Sequence, residues 1–413
     1  MAERGRLLGS WWFGRFQVRA GADGDYHFRD WLQPKGRGLP ASIFAGLAEP
    51  SLPLAFFRHG FVPAAMSAAL APVTEQPSTD RDALFWQFPC RTEAAAWGLH
   101  ADRAQPAGKD DELHVYLGLP WATWIDLLRK AEWQGEARTQ VDFQLSLVAV
   151  RLGGLRQALA GLGVSLRVHT VCQHVYWQDM LPAWKRLGVT DAWLAHCTED
   201  LAREGVAGMQ LHPWSLYAVN LEDPERRTGL EPGKDPAARP LLASFIGAHM
   251  PHYLSDIRLR LRDFAGTPGF VVRVNDKWHF EGVVYDCQMR GTPLASGYCV
   301  DGSVENYNRV LTDARFALCP VGAGPNTLRL WEALAVGSVP VLLGGAPALP
   351  QGGTLAPINW EEIVLRVPDD ALPGLPDRLR RMPLEEVRRR QRLGMEAYAR
   401  VREQGCFGEA MGG

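Results

Sequence analysis

The chain has no apolar run of the roughly 18 residues that a membrane-spanning helix needs. Its opening stretch, MAERGRLLGSWWFGRFQVRAG, also lacks the apolar core of a signal peptide. The seven cysteines are odd in number and irregularly spaced, with no CxxC pair, so neither a disulfide framework nor a zinc site is expected. Free thiols in a reducing compartment are the simpler account. Neither sign of charge dominates: 44 Lys and Arg against 46 Asp and Glu leave −2. Bulk attraction to nucleic acid is therefore not expected. Internal repeats and low-complexity tracts are absent as well.

Tryptophan, by contrast, is abundant. Fifteen of them could stack on sugar faces, although most should be ordinary core and interface residues. The 413 residues, 46% hydrophobic and 22% charged, suit a globular protein with room for two or three domains.

The most informative stretch is ARFALCPVGAGPNTLRLWEALAVGSVPVLL, Ala314 to Leu343. Phe316 to Cys319 is a short apolar run of the kind buried in a parallel sheet. Pro320 stops it, and Gly322, Gly324 and Pro325 mark a tight turn. Asn326 and Thr327 are both suitable N-caps. Leu328, Trp331, Leu334 and Ala335 then recur at helical spacing, Gly337 is a natural C-cap, and Val339 to Leu343 returns as a strand. This is one βαβ unit.

A glycine-rich loop feeding a helix N-terminus presents free backbone N–H groups and the positive end of the helix dipole, which suits a phosphate. Arg329 adds a planar cation in the first turn. Glu332, three residues on, is on the same face, where a carboxylate can accept hydrogen bonds from two ribose hydroxyls. Together they describe a nucleoside-diphosphate site. The competing reading is a surface i,i+3 ion pair beside a turn that binds nothing.

At these residues the chain resembles the exostosin-like glycosyltransferases, glycosyltransferase family 47. Phe316, Leu318, Cys319, Pro320, Gly322, Arg329, Glu332, Ala333, Leu334, Gly337, Pro340 and Val341 carry the resemblance. It extends upstream through Tyr307 and Leu311, covers Leu241 to Val401 well, and touches the first half only faintly. It implies a GT-B fold: α/β, with two Rossmann-like domains and the active site in the cleft between them. Animal and plant members usually carry an N-terminal membrane anchor. The expectation here is a soluble, bacterial-type enzyme in the cytoplasm. Arg4, Arg6, Trp11, Trp12, Phe13, Arg15 and Phe16 could touch the inner membrane peripherally or, alternatively, form a first strand entering the core.

Read in order, residues 1–110 offer only short strand-like pieces at Leu54–Phe57 and Ala83–Phe88. QPAGKDDE follows as a polar loop, Leu113–Leu117 reads as a strand, and WATWIDLLRKAEW as a helix. VDFQLSLVAVRLGGLRQALAGLGV contains another helix. Strands in SLRVHTVC, TDAWLAHC and MQLHPW then alternate with short helices, as in a parallel sheet covered on both faces. LEDPERRTGLEPGKDPAARP, 221–240, is charged, rich in Pro and Gly, and aperiodic, which marks an interdomain linker. A second series begins with LLASFIGA, the helix YLSDIRLRLRDF and GFVVRVN. The expected domains are 1–235, binding the acceptor, and 236–413, binding the nucleotide sugar. Leu384–Arg402 reads as a long solvated helix.

The resemblance places the donor at Gly247, Arg258, Lys277, Gly322, Gly324, Asn326, Thr327, Arg329 and Glu332. Arg258 and Lys277 have solvated surface residues as their competing reading. Such enzymes invert the anomeric centre, so a base should take the acceptor proton. His174, at the carboxyl end of a first-half strand, is the candidate, with Asp179 and His169 as neighbours and a hydrogen-bonded core histidine as its alternative. His212 and Trp214 could position the acceptor. Arg329 would stabilise the leaving diphosphate, and no metal or cofactor is expected beyond the nucleotide sugar, a UDP-sugar by preference. The expected partners are that donor and a saccharide or lipid-linked saccharide acceptor of cell-surface glycan synthesis. A retaining GT-B transferase and a non-catalytic carbohydrate-binding or scaffold protein are the alternatives.

Overall fold

The computed structural model of the protein describes residues 9–13, 16–20, 26–30, 87, 90–101, 112–129, helical residues between 141 and 160, and 165–280, 302–345, 347–351 and 357–404. The expected strands at Leu54–Phe57 and Ala83–Phe88, the polar loop before residue 112, and Cys287, Cys299 and Cys406 lie outside the described residues, Gln87 excepted. Cys90, Cys172, Cys197 and Cys319 are free thiols.

Two sheets form the frame. The first contains β1 (Gly9–Phe13), β2 (Phe16–Ala20), β3 (Tyr26–Asp30), β4 (Glu112–Tyr116), β5 (Ser165–Cys172), β6 (Asp191–Leu194) and β7 (Gln210–Pro213), in the order β3-β2-β1-β4-β5-β6-β7. From β4 to β7 it is parallel. From β3 to β4 it is antiparallel, which departs from the parallel sheet expected of this half. Only two residues join β1 to β2, too few for the crossover that a parallel pair needs.

The second sheet is parallel throughout, in the order β12-β11-β10-β8-β9. Its strands are β8 (Leu241–Ala248), β9 (Phe270–Asn275), β10 (Ala314–Pro320), β11 (Val339–Leu343) and β12 (Leu365–Val367). The helices used below are α1 (Thr92–Ala101), α2 (Trp121–Arg129), α3 (Leu181–Leu187), α4 (Glu199–Glu204), α5 (Val219–Glu222), α6 (Ile257–Arg260), α7 (Gly302–Asp313), α8 (Leu328–Val336), α9 (Leu375–Arg380) and α10 (Leu384–Gln404). Two α/β units thus face each other across a cleft, as the GT-B expectation requires. Among the described residues no helix is long and apolar enough to cross a membrane.

The βαβ unit forms where the apolar runs place it. β10 and β11 pair in register from Phe316 with Val339 to Pro320 with Leu343. Gly337 ends α8 at φ +85°, a left-handed conformation that a side chain would strain. The helix expected from Tyr253 to Phe264 is much shorter. The N–H of Leu254 donates to the Gly322 carbonyl, tying this segment to the glycine loop, and helical geometry starts only at Ile257.

Three apolar clusters hold the frame. One packs Trp121, Trp124, Trp177 and Trp184 against the first sheet. Another fills the second sheet's outer face with Phe245, Phe316, Leu318, Val341 and Leu375. The last contains residues of both units: Val171, Trp193 and Trp214 from the first, Leu330, Trp331, Leu334 and Tyr398 from the second. A shared apolar core makes the two units resist independent motion more than a polar interdomain contact would.

Residues 221–240 cross between the sheets but are not a loose tether. Arg239 is buried and donates to the carbonyls of Lys234, Ala314 and Val336 and to the Ser338 hydroxyl. Gly233 N–H adds a second bond to the Val336 carbonyl at the end of α8. Lys234 pairs with Asp313 and Arg388 with Asp235. The segment has no long helical or strand period because it is built of short turns, such as Leu230 N–H to Arg227 O and Ala238 N–H to Asp235 O, joined to the second unit by the bonds above.

Candidate active site

The carboxyl ends of both sheets open on one cavity of about 610 Å³. The nine residues expected to hold a donor all line it: Gly247, Arg258, Lys277, Gly322, Gly324, Asn326, Thr327, Arg329 and Glu332.

Arg329 and Glu332 are both buried on α8, and each has its own partners, so they are not a surface ion pair. The Arg329 guanidinium donates to the Ile246 carbonyl. It lies 4.6 Å from the centre of the Phe245 ring and 5.1 Å from that of Tyr307. Glu332 accepts from the Tyr307 hydroxyl at 2.6 Å and from the Asn220 N–H at 3.3 Å. Burial holds the Tyr307 phenol well above its ordinary pKa, so it stays a donor to this carboxylate.

Arg258 is not a solvated helix residue. It donates to the carbonyls of Val321, Ala248 and Pro320, which joins the ends of β8 and β10. Burial lowers its pKa to about 10, leaving it charged at neutral pH. Lys277 is exposed at the cavity rim.

The glycines are required by what presses on them. A methyl at Gly322 would lie 2.8 Å from the Arg258 guanidinium, one at Gly247 3.1 Å from that of Arg329, and one at Gly324 2.3 Å from His196 Nδ1. Thr327 occupies the N-cap position of α8 but its side chain caps nothing. Asn326 does not cap it either, but braces its start: its Oδ1 accepts from the Thr327 N–H and from Trp331 Nε1, while its Nδ2 donates to the Ala195 carbonyl of the first unit. Asn326 therefore bolts the phosphate-type loop to the opposite sheet.

Residues 198–382 match the family described as the Exostosin GT47 domain. This stretch is similar to that domain. The matched stretch runs from the start of α4 in the first unit to just past the end of α9. Among curated relatives, a probable glucuronosyltransferase of Oryza sativa subsp. japonica is 37% identical over 87 residues, 21% of this chain and 20% of that one. A probable beta-1,4-xylosyltransferase of Arabidopsis thaliana is also 37% identical over 87 residues, with the same coverage. The chain thus spans about a fifth of the length of the curated relatives it matches. Of solved structures, the GtfA/B complex (11% identity, TM-score 0.32, 63% of this chain and 55% of that one) and the sucrose-phosphate synthase of Thermosynechococcus elongatus (16%, 0.32, 61% and 67%) are distant likenesses.

On the first-unit wall, His174 reaches the cavity. Its Nε2 is 3.1 Å from Asp126 Oδ1, and its Nδ1 accepts the Tyr176 N–H at 3.0 Å. Asp179 instead pairs with Arg129 at 2.8 Å, and the Arg129 guanidinium lies 3.7 Å from the centre of the Tyr176 ring. His169 is wholly buried beside Trp193 and Asp191.

The two residues expected to position the acceptor fall outside this cavity. His212 is bonded to Asp191 at 2.9 Å and stacked on Trp193 at 4.2 Å. Trp214 is buried in the shared core. β7 is a short edge strand whose residues pair back onto β6, so this segment faces the sheet rather than the cleft. Burial pushes Asp191 up, but His212, His169, Arg167 and Thr190 more than offset it and hold the carboxyl well below its ordinary range.

Asp126 and His196 are cavity residues that the sequence reading missed. Asp126 is the one acid in the mostly apolar helix α2, a pattern with no periodic signal. His196 had one. It stands two residues past the end of β6, as His174 stands two past the end of β5. Neighbouring parallel strands put such positions side by side. Burial and the nearby His174 lower His196 to about 3, so its ring is neutral. Asp23 and Asp25, an Asp-x-Asp pair after β2, lie outside the described residues.

Proposed function

We propose that the cavity holds a nucleoside-diphosphate sugar and that the protein transfers the sugar, with inversion, to a hydroxyl of a saccharide. The observation that carries this reading is the pairing of Arg329 and Glu332 on one buried helix face at the cavity wall. Arg329 and Arg258, with the N-terminus of α8, supply positive charge for a diphosphate. Glu332 supplies a carboxylate of the right chemistry for ribose hydroxyls. As the C1–oxygen bond of the donor breaks, charge builds on the departing phosphate oxygen. Arginines already fixed by backbone carbonyls stabilise it without reorganising.

The match to the exostosin domain and the names of the relatives support glycosyl transfer as the reaction class. UDP-glucuronate and UDP-xylose are the first donors to try, with a free or lipid-linked cell-surface saccharide as acceptor. We propose that the reaction needs no metal and takes place in the cytoplasm.

A thermal-shift screen with UDP, GDP, ADP and CMP and their sugar conjugates, with and without EDTA, tests the donor site, because a ligand of the folded state raises Tm by mass action. An EDTA-insensitive rise with one nucleotide is the expected result. No rise with any of them would remove the proposal. The anomeric configuration of the product then separates inversion from retention.

A further inference from the structure

Resting on the transfer reading above, we infer that Asp126 is the group that takes the proton from the acceptor hydroxyl, and that His174 is a positioning residue that holds it. Among the described residues, Asp126 and Glu332 are the two carboxylates that line the cavity. Glu332 belongs to the second-unit wall and is engaged by Tyr307 and Asn220. Asp126 belongs to the first-unit wall, the side on which an acceptor would enter opposite the donor.

The hydrogen bonds of His174 decide between the two neighbours. The Tyr176 backbone N–H can only donate, so Nδ1 of His174 must hold a lone pair towards it at 3.0 Å. The ring proton of the neutral imidazole is then on Nε2, which donates to Asp126 Oδ1 at 3.1 Å. In this tautomer neither nitrogen has a lone pair left for an acceptor hydroxyl. Asp126 does have capacity: Oδ1 takes the His174 bond, Oδ2 takes the Gln87 amide, and each oxygen has a further lone pair.

The carboxylate is also held rigidly. Trp121 and Trp124 anchor α2 in the core, and the Trp121 indole N–H donates to Thr170 of β5 at 2.6 Å. Behind Asp126, Gln87 accepts from the Gln173 amide, and Gln173 and Glu93 each donate a backbone N–H to the other's side-chain oxygen. Such a second layer fixes a catalytic group within the tolerance that proton transfer needs. His196, the other imidazole at the cavity, has Nδ1 buried without a partner against Gly324. Burial makes its imidazole a far weaker base than an ordinary histidine.

The step balances simply. The acceptor oxygen gives its proton to an Asp126 oxygen as it forms a bond to C1 of the donor sugar. The bond from C1 to the phosphate oxygen breaks, and its electron pair leaves on the nucleoside diphosphate. Asp126 then returns the proton to solvent.

The test uses the full chain. UDP affinity is measured by calorimetry, and turnover is read as UDP released from UDP-glucuronate and UDP-xylose, with xylotetraose and with water as acceptors. Asp126→Asn should bind UDP within about threefold of the parent, yet lose about 10²- to 10⁴-fold in turnover. His174→Ala should lose turnover too, whereas His174→Gln, whose amide can still donate to Asp126 but cannot take a proton, should recover at least about tenfold of that loss. Wild-type turnover in Asp126→Asn, or a His174→Gln as inactive as His174→Ala, would overturn the assignment. A separate readout needs no turnover: ¹⁵N-resolved NMR of His174 should find the proton on Nε2, and a proton on Nδ1 would also overturn it. A parent protein that binds no nucleoside diphosphate would instead remove the donor-site reading on which the inference rests.

Discussion

The Tyr307 hydroxyl donates to Glu332 at 2.6 Å, linking α7 to α8 beneath the cavity. Glu332 is therefore fixed before any ligand arrives, with one oxygen on Tyr307 and the other on the Asn220 N–H. A preset carboxylate loses less entropy on binding than a mobile one. Removing its charge should weaken nucleotide binding by about 1.5–3 kcal/mol, the range for hydrogen bonds to charged groups. Glu332→Gln should show this as a roughly 10- to 100-fold rise in the Kd for UDP, read by calorimetry alongside an unchanged circular dichroism spectrum. Equal affinity in the variant would disprove the ribose role.

Arg329 tests the charge on the leaving group. A lysine there keeps one positive charge but cannot reproduce the planar contact with the Phe245 and Tyr307 rings. Arg329→Lys should lower turnover about 10²- to 10³-fold, as loss of one fixed transition-state donor does, with a smaller loss of UDP affinity. Steady-state kinetics on the two proteins decides it. If kcat is kept while KM alone rises, Arg329 serves binding and not the departing phosphate.

Much of this site was legible because its residues lie in a strongly periodic segment. Phe316–Cys319 and Val339–Leu343 are apolar runs bounded by Pro320 and Gly337, and that punctuation fixes strand, turn and helix. Arg329 and Glu332 follow from the helix register. What was not legible depends on contacts between distant segments. Asn326 and Thr327 looked like equivalent caps, yet neither side chain caps the helix, and Asn326 instead ties the loop to Ala195 of the first unit. Asp126 has no local signature, since its role is set by His174, 48 residues away. His212 and Trp214 resembled cleft residues because a loop after a parallel strand usually opens there. The pairing of β7 with β6 and the shared core draw them inward instead.

Gly324 meets the first unit so closely that a single methyl should be felt. In Gly324→Ala the new Cβ would lie 2.3 Å from His196 Nδ1, so either the imidazole or the loop must move. Overpacking of this kind costs about 1–3 kcal/mol, and the displaced loop should also bind UDP less well. His196→Ala should relieve the clash. Urea denaturation of the parent, both single variants and the double variant gives the coupling directly. Favourable coupling of about 1 kcal/mol or more is expected for residues in contact, and simple additivity would show that the two units are not pressed together here.

Glu93 and Asp191 should give the stability of the fold opposite slopes on either side of a maximum. Glu93, at the start of α1, is buried with backbone donors from Ala122 and Gln173. Burial, helped by the Asp126 charge, raises its pKa from 4.5 to about 8. Below 4.5 both folded and unfolded chains hold this proton, and its contribution is fully present. As pH rises towards 8 the unfolded chain releases the proton while the folded one keeps it, so stability falls. Asp191 runs the other way. Its carboxyl is held below the ordinary range, so its contribution is present above about pH 4 and is lost as pH falls further. Tm should therefore peak near pH 5 and decline on the alkaline side. Glu93→Gln keeps an acceptor for the same backbone donors but has no proton to release. Its Tm should stay level between pH 5 and 8 while the parent's declines, by an amount on the order of a few kcal/mol when converted to stability. Parallel Tm curves for the two proteins across that window would mean that Glu93 is not the group responsible.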